Sequence, residues 1–440
     1  MTMTVLRGGV VHTLDGSASR SAIAFAGGRV VALGPAAEPL AREGGATVVD
    51  LDGAVVVPGV NDAHLHAGWL GARWPHTILP ASDTTPSPLS AEPTLQSPAE
   101  RAAALERTWT ILAALGITSY TEPGIGPGED DGTGAFDTQM LEAYLNLHNR
   151  GVRTVRVTLL QLFGRLDGEG TLRALRAGLA RALPHTDRSW LNISGVKVFA
   201  DGIPPLRTAC VSHAYDDGTH GSLLTYDDEH ERAREDTLAE MIALVHDSGR
   251  QLAVHATGDR TIALTAAAAQ LNGAARSAPP SYIVHADMAG EDELAAMSAA
   301  GLGATIQPLI ALRTRAWASE VIGQKRAAAA WPIERILRTL PFATISSDAP
   351  VVEPDWRRAL DAALTLVGRD DVDLRRLLMR AVTAAPAVQD GAASWKGTLD
   401  VGMAADAVVL SADPLEPGTP FPEITVRRTI CGGRTVYAAD

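Results

Sequence analysis

Two histidines separated by one residue follow an apolar run near the start of the chain, where Asn61–His66 reads NDAHLH. Because side chains on a β-strand alternate between its faces, His64 and His66 are expected to point the same way. Two imidazoles on one face are suited to binding a divalent metal ion. Backbone carbonyls could equally satisfy such a pair, so residues elsewhere in the chain must decide between the two interpretations.

Three more residues that can bind a metal end short apolar runs later in the chain. His255 and His285 each follow such a run, and Asp348 ends another. Singly, each histidine could be a core residue, and Asp348 could cap a helix or sit in a turn. Four histidines at three strand ends are nevertheless hard to explain as packing, and a carboxylate beside them is costly unless it is paired or binds a cation. Together they favour a metal site in which Asp348 also acts as a general base.

The basic residues include only three lysines, namely Lys197, Lys325 and Lys396, and the remainder are arginine. Lys197 lies inside an apolar run, where a bare ammonium pays a large desolvation cost and cannot bind a metal while protonated. Carboxylation by carbon dioxide would remove that cost and supply two oxygens that can bridge two cations. Arginine cannot react in this way. The alternatives are an ion pair with Asp201 or Asp348, or a lone lysine beside a single metal.

The elements that must position these residues alternate between β-branched runs and helical patterns, which predicts parallel strands joined by helices. Eight strand candidates cover 55–66, 117–122, 155–161, 193–201, 252–257, 282–287, 304–307 and 343–348. Helices are predicted from a capping box at Ser97 and near 136–149, 171–182, 229–248, 260–272, 291–299, 330–339, 356–367 and 373–385. The fold class is therefore α/β, a (β/α)8 TIM-type barrel, with an open doubly wound sheet as the alternative. Loops 84–93 and 124–134 are either lids or plain surface loops.

Both ends of the chain consist of short β segments separated by glycine turns. They predict one small composite β-sandwich built from residues 1–57 and 398–440, with the barrel in 58–397.

Composition excludes several classes of protein. The chain has 440 residues, of which 46% are hydrophobic, and a net charge of -13. An acidic chain without a basic patch is not expected to bind nucleic acid or an anionic membrane. Two distant cysteines, the absence of a signal-peptide pattern and the absence of a long apolar run lead us to expect a cytoplasmic protein without a disulfide framework.

The ordered set His64, His66, Lys197, His255, His285 and Asp348 resembles the amidohydrolase superfamily of metal-dependent hydrolases. Within that superfamily, three phrases are similar to the subgroup of N-substituted formamide deformylases (amidohydrolase family 3). They are GVKVFADG at Gly195–Gly202, VHATGDR at Val254–Arg260 and SDAPV at Ser347–Val351. The tail from Gly397 to Leu410 resembles the return of that superfamily into its β-sandwich.

The resemblance implies two divalent metal ions, with zinc as the expected element, and a hydroxide bridging them. His64, His66 and Asp348 would bind one metal, His255 and His285 the other, and carboxylated Lys197 would lie between them. Asp348 would carry the proton to the leaving nitrogen of a small-molecule amide. By analogy with the family, the expected assembly is a homodimer.

Residues that follow the strand ends are candidates for contact with the substrate, although they could equally be packing residues. They are Trp69, Glu122, Asp201 and Arg207. Three other activities remain open. One is a mononuclear deaminase of a ring amine, in which Lys197 is uncarboxylated. The second is a lactone or ester hydrolase using the same site. The third is a non-catalytic scaffold, which should have lost ligands that this chain keeps.

Overall fold

The computed structural model describes residues 3–42, 45–80, 89, 91–231, 233–272 and 279–439. Within them, the strands in chain order are β1 Met3–Val11, β2 Arg20–Ala26, β3 Arg29–Leu33, β4 Ala46–Asp50, β5 Val55–Pro58, β6 Val60–Asp62, β7 Ile117–Ile125, β8 Arg156–Leu162, β9 Gly170–Thr171, β10 Leu191–Phe199, β11 Thr225–Tyr226, β12 Gln251–Ala256, β13 Tyr282–His285, β14 Gly303–Ile306, β15 Ala343–Ile345, β16 Ala407–Leu410, β17 Val426–Cys431 and β18 Arg434–Ala438.

The α-helices of the same residues cover the outside of the barrel and its connections. They are α1 Ala67–Arg73, α2 Pro98–Ala114, α3 Thr138–Asn149, α4 Leu172–Leu179, α5 Arg234–Asp247, α6 Asp259–Leu271, α7 Glu291–Ala299, α8 Pro308–Ile322, α9 Gln324–Ala329, α10 Ile333–Thr339, α11 Trp356–Val367, α12 Val372–Ala381 and α13 Ala384–Gln389. None of the helices in the described residues is both long and apolar enough to cross a membrane.

Eight parallel strands form a nearly closed barrel in the order β6, β7, β8, β10, β12, β13, β14 and β15. Just beyond the ends of β6 and β15, a parallel bridge between Leu65 and Ala349 closes the ring. Since all eight strands run the same way, their carboxyl ends meet at one rim, where barrels place their active sites. The predicted TIM-type barrel is confirmed.

Seven of the eight strand predictions fall within three residues of the observed strands. The first was wrong, because 55–66 is not one strand. Val55–Pro58 pairs with the terminal sheet, whereas Val60–Asp62 pairs with the barrel. The chain changes sheets at Gly59, where a Cβ atom would lie 2.1 Å from the hydroxyl oxygen of Thr118. Only glycine permits so close an approach.

The helix predictions agree less completely with the structure. Ser97 caps α2 with the predicted capping box. The predicted helix 373–385 is in fact two helices, α12 and α13, and the helices α1, α8 and α9 were not predicted. Most of loop 84–93 lies outside the described residues.

The second sheet combines both chain termini in the order β18, β17, β16, β5, β1, β2 and β3, with β4 paired to β1. Side chains from both termini pack into one core, among them Leu6, Phe25, Val56, Val409 and Ile430. This sheet agrees with the predicted β-sandwich. The exact domain limits 1–57, 398–440 and 58–397 stay a prediction.

Candidate metal centre

The segments after the first and eighth barrel strands are fastened to each other by the buried Asp62. Its carboxylate accepts hydrogen bonds from the backbone N–H of His64 (3.3 Å) and of Ser347 (3.1 Å), and from the Ser347 hydroxyl (2.6 Å). The Asp348 N–H also donates to the carbonyl of His64 at 2.8 Å. The sequence therefore places Asp348 directly beside the His-X-His segment.

His64, His66 and Asp348 converge on one point at the rim. Oδ1 of Asp348 lies 3.2 Å from Nε2 of His64 and 3.4 Å from Nε2 of His66. One potential ligand atom from each of the three buried residues lies within 4.8 Å of the others. Nδ1 of His64 is buried without a hydrogen-bond partner among the described residues. These three side chains can bind one metal ion.

The hydrogen bonds of the other three imidazoles decide which ring nitrogen is free to bind a metal, because a carboxylate or carbonyl oxygen can only accept. Nδ1 of His66 donates to Oε1 of Glu122 at 3.1 Å. Nε2 of His255 donates to the carbonyl of Gly202 at 3.1 Å. Nδ1 of His285 donates to the Gln307 amide oxygen at 2.7 Å. The lone pairs therefore lie on Nε2 of His66, Nδ1 of His255 and Nε2 of His285.

The two later histidines and Lys197 lie beside the first three residues. The ring centroid of His285 is 4.5 Å from that of His255 and 5.8 Å from that of His64. The Lys197 side chain is 2% exposed. Its ammonium lies 4.8 Å from the Phe199 ring centroid and makes no hydrogen bond or ion pair with any described residue. The ion pair with Asp201 or Asp348 that the sequence left open is therefore absent from the described residues.

The protonation states of these groups suit metal binding, which needs neutral imidazole and ionised carboxylate. Burial lowers the pKa of His64 to about 3 and that of His285 to about 4, and it lowers the pKa of His255 as well. Against the opposing effect of burial, His64 and His66 hold the pKa of Asp348 well below its usual range. His66 is the exception: hydrogen bonds to Asp348 and Glu122 overcome burial and raise its pKa to about 9, so His66 must release a proton when it binds a metal.

Above these residues lies a cavity of about 340 Å³ at the mouth of the barrel. All six predicted metal-binding residues line it, and the remaining lining is largely aromatic and aliphatic. Burial of most of a small molecule against such a surface, with a few polar groups at one end, is typical of an enzyme pocket.

Of the four predicted substrate contacts, only Trp69 lines this cavity. Asp201 is fully buried and accepts from the backbone N–H groups of Cys210, Thr257 and Gly258. Arg207 pairs with Asp216 at 2.7 Å. Substrate contacts by Glu122, Asp201 and Arg207 stay predictions without a supporting contact.

Several lining residues were not singled out from the sequence. Asp167 and Asp287 follow the third and sixth barrel strands and line the cavity. Gln307 follows the seventh strand and orients His285. In the sequence, only their position could have indicated a role in the site, because each follows a barrel strand as the predicted ligands do.

Glu122 has a positioning role that the structure makes specific. Besides His66 Nδ1, its carboxylate accepts the Ala67 N–H at 2.8 Å and the Tyr144 hydroxyl at 2.9 Å. It therefore fixes both the tautomer and the orientation of His66.

We expect Glu122→Gln to weaken metal affinity by about 10-fold to 100-fold, because the amide cannot accept from all these donors at once. Competition with a chelator of known affinity measures the change. Tyr144→Phe is the matched control: it removes one hydrogen bond and keeps the charge, so a smaller loss is expected. Equal metal affinity in Glu122→Gln and the unchanged protein would contradict this role.

Comparisons with known proteins identify a family for most of the chain. The profile of the amidohydrolase family matches residues 74–437. A curated Bacillus subtilis (strain 168) protein named "Putative amidohydrolase YtcJ" is 22% identical over 265 residues, covering 56% of this chain and 48% of that protein. The chain thus spans about half the length of that curated relative.

Solved structures share the fold. An uncharacterized metal-dependent hydrolase from Pyrococcus horikoshii OT3 has a TM-score of 0.73 and 18% identity, with 96% of this chain and 99% of that chain covered. A Xaa-Pro dipeptidase with methionine bound in its active site has a TM-score of 0.63 and 15% identity, with 100% of both chains covered. At these identities the likeness supports the architecture and leaves the substrate open.

Proposed function

The chain belongs to the amidohydrolase family, and from that premise we propose that it cleaves a carboxamide-type C–N bond in a small non-peptide molecule. As a member of that superfamily it is a metal-dependent hydrolase. One observation carries the proposal: four histidines, a lysine and an aspartate from five separate barrel strands line a single cavity. Such a set is not needed for packing.

The residues present fit two divalent ions. His64, His66 and Asp348 would hold one ion, His255 and His285 the other, and a carbamate on Lys197 would lie between them. Bound metal ions supply a hydroxide at neutral pH and polarise the scissile carbonyl. The free nitrogens of His66, His255 and His285, set by their hydrogen bonds, are the donors that this arrangement requires.

Asp348 is the proposed proton shuttle. Its carboxylate is ionised and lines the cavity, so it can accept the proton of the attacking water. It would then deliver that proton to the leaving nitrogen, which otherwise departs as a poor amide anion. Its backbone is held in place by the bond to His64, and its φ of 56° is unusual for a residue other than glycine. A strained backbone at this position is consistent with a catalytic role.

The carbamate on Lys197 is supported by the absence of any other partner among the described residues. A buried ammonium without an ion pair is unfavourable, and the amine can instead add to carbon dioxide, losing one proton and gaining a charge that cations stabilise. Formamides are the first amides to screen, because Gly195–Gly202 and two other phrases resemble the deformylase subgroup.

A mononuclear deaminase of a ring amine is the second candidate. It is favoured by the close convergence of His64, His66 and Asp348, which can hold one ion without Lys197.

Elemental analysis of the purified, unchelated protein distinguishes the candidates by the number of metal ions per chain. We expect two, together with hydrolysis of formamides or other simple amides. One ion per chain would favour the deaminase. If the protein contains no metal and gains no activity when zinc or manganese is added, both enzymatic proposals are contradicted. The non-catalytic scaffold would then be the favoured interpretation.

A further inference from the structure

We propose that the cavity selects amides carrying a positive charge on an aromatic or branched alkyl body, and that Asp167 is the residue that selects them. This inference rests on the proposed function, since it names the substrate class of the same site. Three features carry it: an apolar wall, the charges of the lining, and the unpaired Asp167 on a loop anchored by backbone hydrogen bonds.

The wall of the cavity is apolar up to its rim. Trp69, Trp317 and Trp331 line it. At the opening, Trp317 is 44% exposed and Leu206 is 57% exposed. Large apolar side chains left open to water around a cavity favour an apolar ligand that covers them. Indole faces also attract cations, and more strongly where water is excluded.

The charged side chains around the cavity disfavour an anionic group on the substrate away from the metal-binding residues. Among the described residues no arginine lines the cavity, and Lys197 at its base is the only lysine. Two carboxylates besides Asp348 face the space, Asp167 and Asp287. A substrate carboxylate would therefore meet like charges and find no guanidinium to pair with.

The two additional carboxylates differ in their surroundings. The N–H of Trp331 donates to the backbone carbonyl of Asp287 at 2.7 Å, and burial raises the pKa of the Asp287 carboxyl to about 7. Asp167 makes no hydrogen bond or ion pair with any described residue, and it is exposed to solvent where it lines the cavity. A ligand cation can therefore approach this carboxylate without displacing a partner, so Asp167 is the carboxylate left to recognise a charge.

The loop that carries Asp167 is anchored by backbone hydrogen bonds on both sides of that residue. The N–H of Leu166 donates to the Glu129 carboxylate at 2.9 Å, and the N–H of Gly170 donates to the carbonyl of Leu224 at 3.0 Å. The arginine nearest in sequence, Arg165, is bound to Asp131, with one hydrogen bond of 2.9 Å. Arg165 therefore does not neutralise Asp167, and the loop that carries Asp167 is anchored by these backbone hydrogen bonds.

Three para-substituted benzyl alcohols test the selection without turnover. Their substituents are trimethylammoniomethyl, its uncharged isostere neopentyl, and carboxymethyl. Calorimetry on the protein as purified should show the cation binding about tenfold more tightly than the neopentyl compound, with the carboxylate weakest. In Asp167→Asn the preference should fall to twofold or less, while affinity for the neopentyl compound stays within twofold of the unchanged protein.

Asp52→Asn is the matched control. Asp52 is exposed, has the same φ of 48° as Asp167, and lies in the turn between β4 and β5. The Asp52→Asn substitution removes one negative charge outside the cavity, so the preference for the cation over its neopentyl isostere should persist. Equal binding of the cation and its isostere, or a preference that survives Asp167→Asn, would overturn the proposal.

The corresponding N-benzylformamides separate this inference from the proposed function. If the cation is preferred in binding but no amide is hydrolysed, the proposed function fails and the selectivity stands. If amides are hydrolysed without any preference for the cation, the proposed function stands and the selection by Asp167 fails.

Discussion

Asp348→Asn is expected to lower kcat by about three orders of magnitude while metal remains bound. The amide is nearly isosteric and keeps an oxygen that can face His64 and His66, which lie 3.2 and 3.4 Å from Oδ1. It cannot accept the proton of the attacking water or return it to the leaving nitrogen. Steady-state hydrolysis of the best amide, with elemental analysis of the same sample, measures both quantities.

The control for this variant is Asp413→Asn. Asp413 also pairs with a histidine, at 2.9 Å from Nε2 of His12, but it does not line the cavity. We expect its turnover to match the unchanged protein. Turnover within a fewfold of normal in Asp348→Asn would refute the proton shuttle, and loss of the metal would show that Asp348 serves chiefly as a ligand.

The predicted ligands could be found from sequence because a parallel barrel brings all its strand ends to one rim. His255 and His285 lie far apart in sequence, yet their ring centroids are 4.5 Å apart once β12 and β13 pair. Each prediction needed only the end of an apolar run, which periodicity indicates well. The same rule placed Asp348 in the cavity, whereas Lys197, which also lines it, was found as a rare lysine inside an apolar run.

Contacts that depend on how side chains turn could not be predicted in this way. Glu122 was expected to end the second strand, but β7 continues to Ile125, and the Glu122 carboxylate bonds to His66 and does not line the cavity. Asp201 turns to backbone donors in the loops that follow. The sequence also did not show that 55–66 is divided between two sheets, because both halves are apolar. The boundary is at Gly59, and the close approach of Thr118 that requires glycine there is visible only in the structure.

Lys197→Ala is expected to reduce the metal content from two ions per chain to one or fewer and to lower turnover by at least about 100-fold. The reason is that the proposed carbamate would supply oxygen ligands that no other described residue near it can replace. Lys396→Met provides a contrast: that lysine is also buried but pairs with Asp390 at 2.6 Å. Breaking its pair should cost about 3 kcal/mol of stability and leave the metal content unchanged.

Small molecules added to Lys197→Ala distinguish a carbamate from a structural ammonium. Acetate or propionate can enter the space left by the side chain and supply two oxygens, so each should restore part of the metal content and turnover. Propylamine supplies only an ammonium, and should restore neither. Rescue by the amine alone would establish Lys197 as a cationic residue beside a single metal, because a carboxylate in that position would then be of no use to the site.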